Sequence, residues 1–353
     1  MGCVVIDNRS MAMRMHGANP EKVFEYFGMK VPDKILDFST NTNVVPYLDK
    51  PQIDWWSLVS QYPDDECLLL RKQVADQEKV DLDQVMFFNG SNEAIYQMLS
   101  LVPNGRGALL QPLYGEYEKA MSAYDYHIQH LYHYDQIFDL RQCDYLFICN
   151  PNNPTGQVIE AEVLKLIVKH CQDNKITLVI DEAYHFFLEQ KVETSHWIED
   201  NDYLIILRSL TKAYGLSGIR LGYCLGHHSK IASFKKIHPT WSVNGVAQAL
   251  GIDFLNNTKY LDDTRSFYAV ERMRMVEELQ QLGYATCPSQ VNYFLMQVKN
   301  DEKIIRFLLK KGIVVRHTRN FKSLEGRYIR VAVKSPSDND TFLEALKEFK
   351  TFP

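Results

Sequence analysis

The sequence predicts an α/β fold in which a large domain, built on a mostly parallel sheet covered by helices, is followed by a smaller α+β domain. Three observations predict it. Short β-branched apolar runs recur along the chain, each long enough for a strand and too short for a helix. Helical patterns fill several of the intervals between them, and strands alternating with helices build a sheet covered on both faces. After about residue 250 the pattern changes to long helices and then to separated strands, which suits a second domain. A chain of 353 residues has the length for both domains and a substantial core.

Taken in order, residues 1–15 carry no periodic pattern and are read as an N-terminal extension, and 16–43 as a segment that joins the small domain. The large domain is expected over 44–250. Its apolar runs lie at Val85–Phe88, 108–110, Tyr145–Cys149, 177–180, 203–207 and 221–224. The interval 161–174 has helical spacing, with Leu164, Ile167, Val168 and Cys171 on one face. The small C-terminal domain is expected over 251–353, with strands at 292–298, 312–315 and 328–333. A last helix starting near Asp338 buries Phe342, Leu346 and Phe349.

Composition narrows the function by exclusion. Lysine and arginine number 39 against 44 acidic residues, a net charge of −5, so there is no electrostatic case for nucleic acid or an anionic membrane as partner. The seven cysteines are Cys3, Cys67, Cys143, Cys149, Cys171, Cys224 and Cys287. They form no Cys-x-x-Cys pair and read as reduced thiols of a cytoplasmic protein that binds no metal. No apolar run approaches the roughly 18 residues of a membrane span, and no long apolar core of a signal peptide opens the chain, so a soluble intracellular protein is expected.

Three short segments carry chemistry. In Ser209-Leu210-Thr211-Lys212, followed by Arg220, a lysine amine that can condense with an aldehyde is flanked by two groups able to reach a phosphate, the form of a pyridoxal-phosphate lysine site. Upstream, the run from Thr177 ends at Asp181 and continues to Tyr184. A buried strand would deliver Asp181 at its C-terminal end, where open α/β sheets place ligands, and a carboxylate there suits a protonated pyridine nitrogen. Tyr184 would hydrogen-bond the ring hydroxyl oxygen. Further upstream, Asn150-Pro151-Asn152-Asn153-Pro154-Thr155-Gly156 follows another strand pattern, and its prolines stiffen a loop that presents Asn153. Singly, each has a plainer reading: a solvated lysine, an aspartate capping a turn, a Pro/Asn/Gly turn. Their joint occurrence in this order carries the chemical one.

On these motifs the chain, from about residue 16 to about 349, resembles the fold-type I pyridoxal-phosphate enzymes, the aspartate aminotransferase superfamily. The resemblance implies a seven-stranded sheet and pyridoxal 5'-phosphate as cofactor. It implies that Lys212 bonds the cofactor aldehyde, that Asp181 partners the pyridinium, that Asn153 and Tyr184 bind the ring hydroxyl, and that Ser209, Thr211 and Arg220 belong to the phosphate end. Gly90-Ser91-Asn92 matches the loop that opens a helix beneath the phosphate, whose first N–H groups hold the anion. Tyr114, after Gln111-Pro112, matches the aromatic stacked on the ring. Tyr62, in Gln61-Tyr62-Pro63-Asp64, matches a tyrosine that reaches the neighbouring subunit's cofactor phosphate, which implies a homodimer.

Within that superfamily one branch fits best. His16-Gly17-Ala18-Asn19, the stretch Asp37 to Asn43, Trp241 to Asn244, Arg316 and Arg327-Tyr328-Ile329-Arg330 resemble the threonine-phosphate decarboxylases of cobalamin biosynthesis, with the histidinol-phosphate aminotransferases next. His16, Asn41, Asn43, Asn153, Arg316 and Arg330 are the implied substrate ligands. Two arginines suit a phosphorylated amino acid, since each presents a planar fork to phosphate or carboxylate, and His16 adds a switchable donor. After Asn43 this chain has Val44-Val45-Pro46, where both families usually carry Asn-Pro directly, so the substrate side chain stays open. Decarboxylation and transamination both stay open as well, because they differ only in which α-carbon bond is held perpendicular to the cofactor plane. A cofactor-binding regulator without turnover is the third possibility, and the retention of Lys212, Asp181 and Tyr184 speaks against it.

Overall fold

The computed structural model describes residues 17–48 and 51–351. Two compact units divide the chain. The larger holds Thr42–Asn153 and Gln157–Ser266; the smaller holds the described part of Met1–Asn41, Pro154–Gly156 and the described part of Phe267–Pro353.

After α1 (Pro20–Tyr26) and β1 (Leu36–Asp37), the larger unit runs through α2 (Trp55–Ser60), α3 (Leu68–Glu78), β2 (Val85–Phe88), α4 (Ser91–Ser100), β3 (Arg106–Leu110), α5 (Glu116–Ala123), β4 (His127–Leu131) and β5 (Tyr145–Cys149). It continues with α6 (Ala161–Asp173), β6 (Thr177–Asp181), β7 (Leu204–Ser209), α7 (Leu210–Ala213), β8 (Gly222–Gly226), α8 (His228–Lys235) and α9 (Gly245–Asn256). The seven strands form one sheet in the order β2-β8-β7-β6-β5-β3-β4. Only β8 runs against its neighbours; every other adjacent pair is parallel. β5, β6, β7 and β8 are buried along their whole length, which is why they read as continuous apolar runs. The run at the sheet's far edge, β4, was not among those expected. Its sequence, His127-Ile128-Gln129-His130-Leu131, is half polar because an edge strand in this sheet exposes alternate side chains. The helix α6 buries Leu164, Ile167, Val168 and Cys171, as its spacing predicts.

Register brings the expected site residues to one edge. Asp181 lies opposite Cys149 on one side and Leu207 on the other, and Gly222 lies opposite both Ser209 and Phe88. The C-terminal ends of β2, β3, β5, β6 and β7 and the start of antiparallel β8 therefore share that edge.

The helix α10 (Thr258–Gln281) contains the division at Ser266/Phe267, whereas the sequence pattern changes near 250. Residues 251–266 belong with the larger unit because side chains tie them there. Gln73 donates to Ile252 O and Asn256 Oδ1, Gln77 to Leu255 O, and Asn43 to Tyr260 and Thr264. The smaller unit is completed by β9 (Tyr293–Gln297), α11 (Asp301–Lys310), β10 (Ile313–Val314), β11 (Arg316–His317), β12 (Tyr328–Ala332) and α12 (Pro336–Thr351). One strand was expected at 312–315, and two short ones occur. β10 pairs in parallel with β1, while β11 joins the antiparallel sheet β11-β12-β9, so the chain changes sheets at Val315. The N-terminal segment returns to this unit through that β1–β10 pairing, and α12 buries Phe342 and Leu346.

Candidate active site

One end of the sheet edge is built on close backbone approach. At Gly90, with φ +79°, a Cβ would stand 2.6 Å from Arg220 Nη2, and at Gly222 it would stand 2.6 Å from the backbone nitrogen of Ser91. Glycine at these two positions lets α4 begin against β8 with Arg220 beside it. The first N–H groups of α4 point out of the helix, where its dipole favours an anion. Arg220 has φ +57°, a conformation that costs a non-glycine residue about 1–3 kcal/mol. Its Nη1 donates to Ser217 O at 3.0 Å. Ser209 Oγ and Thr211 Oγ1 lie 2.7 Å apart, both buried, at the start of the short helix α7 that carries Lys212.

Next along the edge, Asp181 is buried and its two oxygens each accept a hydrogen bond. Tyr117 Oη donates to Oδ2 at 2.5 Å, and Ala183 N donates to Oδ1 at 2.9 Å. Burial pushes the Asp181 carboxyl above the usual carboxylate range, and the Tyr117 hydrogen bond, the Ala183 N–H and the Lys212 ammonium all oppose that rise. Tyr184 is buried, with its ring stacked on Phe187 at 6.4 Å. Tyr114 stands edge-on to Tyr117 with ring centroids 5.8 Å apart, and burial, then Glu116 and Asp181, pushes its phenol up. The Asn153 loop is held from below: Asn150 N donates to Asp181 O, Asn150 Oδ1 accepts from Ile159 N, and Asn152 Nδ2 donates to Pro112 O.

Behind the edge lies a charged cluster that sequence reasoning missed. Arg208, 0% exposed, donates to Glu182 Oε2 at 2.6 Å and Glu78 Oε1 at 2.9 Å, and Glu182 also accepts from Thr194 Oγ1. Burial alone would lower the guanidinium's pKa; Glu182 and Glu78 outweigh it and hold Arg208 charged. Glu182 follows Asp181 and Arg208 precedes Ser209, so the cluster pins the ends of β6 and β7 to each other. Its members are scattered single charges in the sequence; the pairing of β6 with β7 brings Glu182 to Arg208, and the packing of α3 adds Glu78.

The smaller unit carries the two expected arginines as facing cross-strand residues: Arg316 on β11 is paired with Arg330 on β12. They are 4% and 5% exposed. Arg316 donates to His317 Nε2 at 2.9 Å and Asn320 Oδ1 at 2.8 Å, and Arg330 donates to Ser39 O at 2.7 Å. Three consecutive carbonyls of the N-terminal segment are held in this way. Ser39 O accepts from Arg330, Thr40 O from Lys334 Nζ and Asn41 O from Asn292 Nδ2, each at 2.7 Å. Gly17 packs on the same segment, where a Cβ would stand 2.5 Å from Ser39 O. That contact explains the glycine of His16-Gly17; His16 itself lies outside the described residues.

Two expected residues have described partners inside the larger unit. The Asn43 amide, expected among the substrate ligands, is spent inside the larger unit. Its Nδ2 faces Ala213 O at 2.6 Å, Thr264 Oγ1 at 2.9 Å and Tyr260 Oη at 3.0 Å, its Oδ1 accepts from Val45 N, and its backbone N donates to Lys212 O. It is an anchor for the Lys212 turn. Tyr62 is 79% exposed and stacks on Trp241 at 4.4 Å, and Trp56 and Leu69 are also exposed. Tyr117, His317, Asn320 and Lys334 are the neighbours sequence reasoning did not name. Only Tyr117 had a signal, its spacing of three from Tyr114 at the start of a helix.

Residues 58–346 match the family Aminotransferase class I and II. The chain belongs to that family. Over 352 residues it is 30% identical to the threonine-phosphate decarboxylase of Salmonella typhimurium, covering 95% of this chain and 96% of that one. It is also 30% identical, over 305 residues, to the histidinol-phosphate aminotransferase of Thermoanaerobacter pseudethanolicus, covering 83% and 85%. The histidinol-phosphate aminotransferase of Clostridium acetobutylicum has the same fold, with a TM-score of 0.82 at 28% identity over 90% of this chain and 99% of that one. The class I and II fold is thus the fold of this chain, and pyridoxal 5'-phosphate is its cofactor. Among the described residues, no helix is long and apolar enough to cross a membrane.

Proposed function

We propose that the chain is a decarboxylase of a phosphorylated amino acid, taking O-phospho-L-threonine to 1-amino-2-propanol phosphate and carbon dioxide. The observation that carries this reading is its likeness to the Salmonella decarboxylase over nearly the whole of both chains. The sheet edge fits the cofactor. Glycines clear space at Gly90 and Gly222, and the N–H groups opening α4, Ser209, Thr211 and Arg220 form a donor set suited to a phosphate. Asp181 would be the buried carboxylate for the ring nitrogen, Tyr184 and Asn153 would serve the ring hydroxyl, Tyr114 would cover the ring, and Lys212 would supply the amine. When bound, pyridoxal phosphate takes up the electron pair released as a bond at the substrate α-carbon breaks.

The residues of this chain then do the following work. Arg316 and Arg330 bind the substrate phosphate, with Asn41 and His16 as further ligands. Each arginine presents a planar fork of donors, and two such forks at paired, buried positions suit a phosphate with its several acceptor oxygens. With the phosphate taken by arginine, the α-carboxylate would be left without an arginine clamp and could leave as carbon dioxide. The bond from the α-carbon to the carboxylate breaks, and Lys212 delivers the proton that replaces it.

The alternative is transamination of histidinol phosphate or another amino acid with 2-oxoglutarate, supported by the equal identity to the Thermoanaerobacter aminotransferase. In that case the same arginines take phosphate and Lys212 removes the α-proton instead. The two readings separate on whether an oxo acid is required. Cofactor-loaded protein mixed with O-phospho-L-threonine and no oxo acid is expected to release carbon dioxide over many turnovers. No release, with glutamate formed from histidinol phosphate and 2-oxoglutarate, would overturn the decarboxylase in favour of the aminotransferase.

We also propose a cytoplasmic homodimer. The exposed stacked pair Tyr62 and Trp241, with exposed Trp56 and Leu69, suits a face covered by a second copy, with Tyr62 reaching that copy's cofactor phosphate. Sedimentation at micromolar concentration tests it, and a monomer would sink it.

A further inference from the structure

We infer that Tyr117 is a positioning residue that keeps Asp181 ionised and thereby holds the proton on the cofactor's ring nitrogen. This rests on the reading of Asp181 as the partner of that nitrogen. A buried carboxylate beside a pyridine has two ways to share one proton. It can stay an anion against a protonated ring, or take the proton and leave the ring neutral. Burial favours the second, because it penalises charge. Only the protonated ring is a strong electron acceptor, so the balance between these states sets how readily a bond at the substrate α-carbon breaks.

The geometry of Tyr117 tips that balance. Its hydroxyl donates to Asp181 Oδ2 at 2.5 Å, in the range of strong hydrogen bonds to a carboxylate. Its ring is 1% exposed, tilted on Phe147 with centroids 5.2 Å apart and set edge-on to Tyr114, so packing fixes where the hydroxyl points. Burial, then the Asp181 charge, raises the phenol well above its usual range, so it remains the donor. The second oxygen accepts from Ala183 N, which holds the carboxylate plane in place. Each oxygen keeps a further lone pair for a ring N–H. Removing the hydroxyl leaves the carboxylate with one backbone donor in a dry site, raises its proton affinity and draws the proton away from the ring.

The test follows the ring nitrogen directly. Protein is loaded with cofactor isotopically labelled at that nitrogen, and its NMR signal is followed against pH in the wild type, Tyr117→Phe and Asp181→Asn. Tyr117→Phe is expected to lower the pH at which the ring loses its proton, part of the way toward Asp181→Asn. A loss of about ten- to a hundred-fold in kcat/KM should accompany it, the worth of one hydrogen bond to a charged group. Fluorotyrosine placed at position 117 alone keeps the volume and donates more strongly; it should move the midpoint the opposite way, and it serves if Tyr117→Phe fails to fold. Midpoints unchanged by either change at position 117, while Asp181→Asn shifts the signal, would overturn the role of Tyr117. A signal that ignores Asp181→Asn as well would instead remove the reading of Asp181.

Discussion

The sheet edge of the larger unit and the paired arginines of the smaller one hold their buried charges with different kinds of described partner. At the sheet edge, the buried charges have partners of complementary charge or polarity: Arg208 lies between Glu78 and Glu182, and Asp181 accepts from Tyr117 and Ala183. In the smaller unit two buried arginines stand at paired positions on β11 and β12; Arg316 donates to His317 and Asn320, and Arg330 to the carbonyl of Ser39. The first arrangement is buried and hydrogen-bonded throughout its described contacts, which suits a cofactor that stays. The second sets two planar donor forks at paired, buried positions, which suits an anionic group that comes and goes.

Breaking the cofactor side should have the largest effect. Lys212→Ala is expected to abolish the visible absorption of the loaded protein and to reduce kcat/KM by at least about 10⁴-fold, as loss of a covalent catalyst does. A variant that keeps its colour and turns over would remove Lys212 from the reaction. On the substrate side, Arg330→Ala is expected to raise KM for a phosphorylated substrate about ten- to a hundred-fold with a smaller change in kcat. It also releases Ser39 O, so Arg316→Ala is the companion that leaves that carbonyl held. Substrate affinity unchanged in both would end the anion-binding role of the pair.

Smaller effects test the scaffolding. Asn43→Ala leaves Ala213 O without its amide donor and should cost about 1–3 kcal/mol in urea unfolding, with weaker cofactor retention because Asn43 N also holds Lys212 O. An unchanged midpoint would return Asn43 to the list of substrate ligands. Last comes His185, buried in the Arg208 cluster. Its Nδ1 is 3.7 Å from Glu182, yet burial, then the Arg208 charge, pushes its pKa well below the usual value. The folded protein therefore keeps His185 neutral, while the unfolded chain binds a proton below about pH 6.5. Stability from this group is present above that pH and falls as pH drops, by up to about 1.4 kcal/mol per pH unit. His185→Gln should flatten that part of the slope in urea titrations between about pH 7 and 5.

Much of the larger unit was legible because its chemistry sits at strand ends. A buried strand announces itself as an apolar run, and the residue that ends it, such as Asp181 after Thr177–Asp181, is delivered to the ligand edge by the strand itself. The strand β4 stayed hidden because an edge strand need not be apolar. The partners of the Asn43 amide stayed hidden for a related reason: an asparagine in a polar stretch looks available, and its acceptors at Ala213, Tyr260 and Thr264 are far along the chain.

Local sequence was enough to specify the strands, the Lys212, Asp181 and Asn153 motifs and the pair of arginines, because strand burial and turn stiffness act over a few residues. Tertiary register alone set Arg316 opposite Arg330, Tyr117 against Asp181, Arg208 between two glutamates and three donors on the carbonyls of Ser39, Thr40 and Asn41. Hydrogen bonds and ion pairs act over about 3 Å whatever the separation along the chain, so partners remote in sequence leave no local pattern to read.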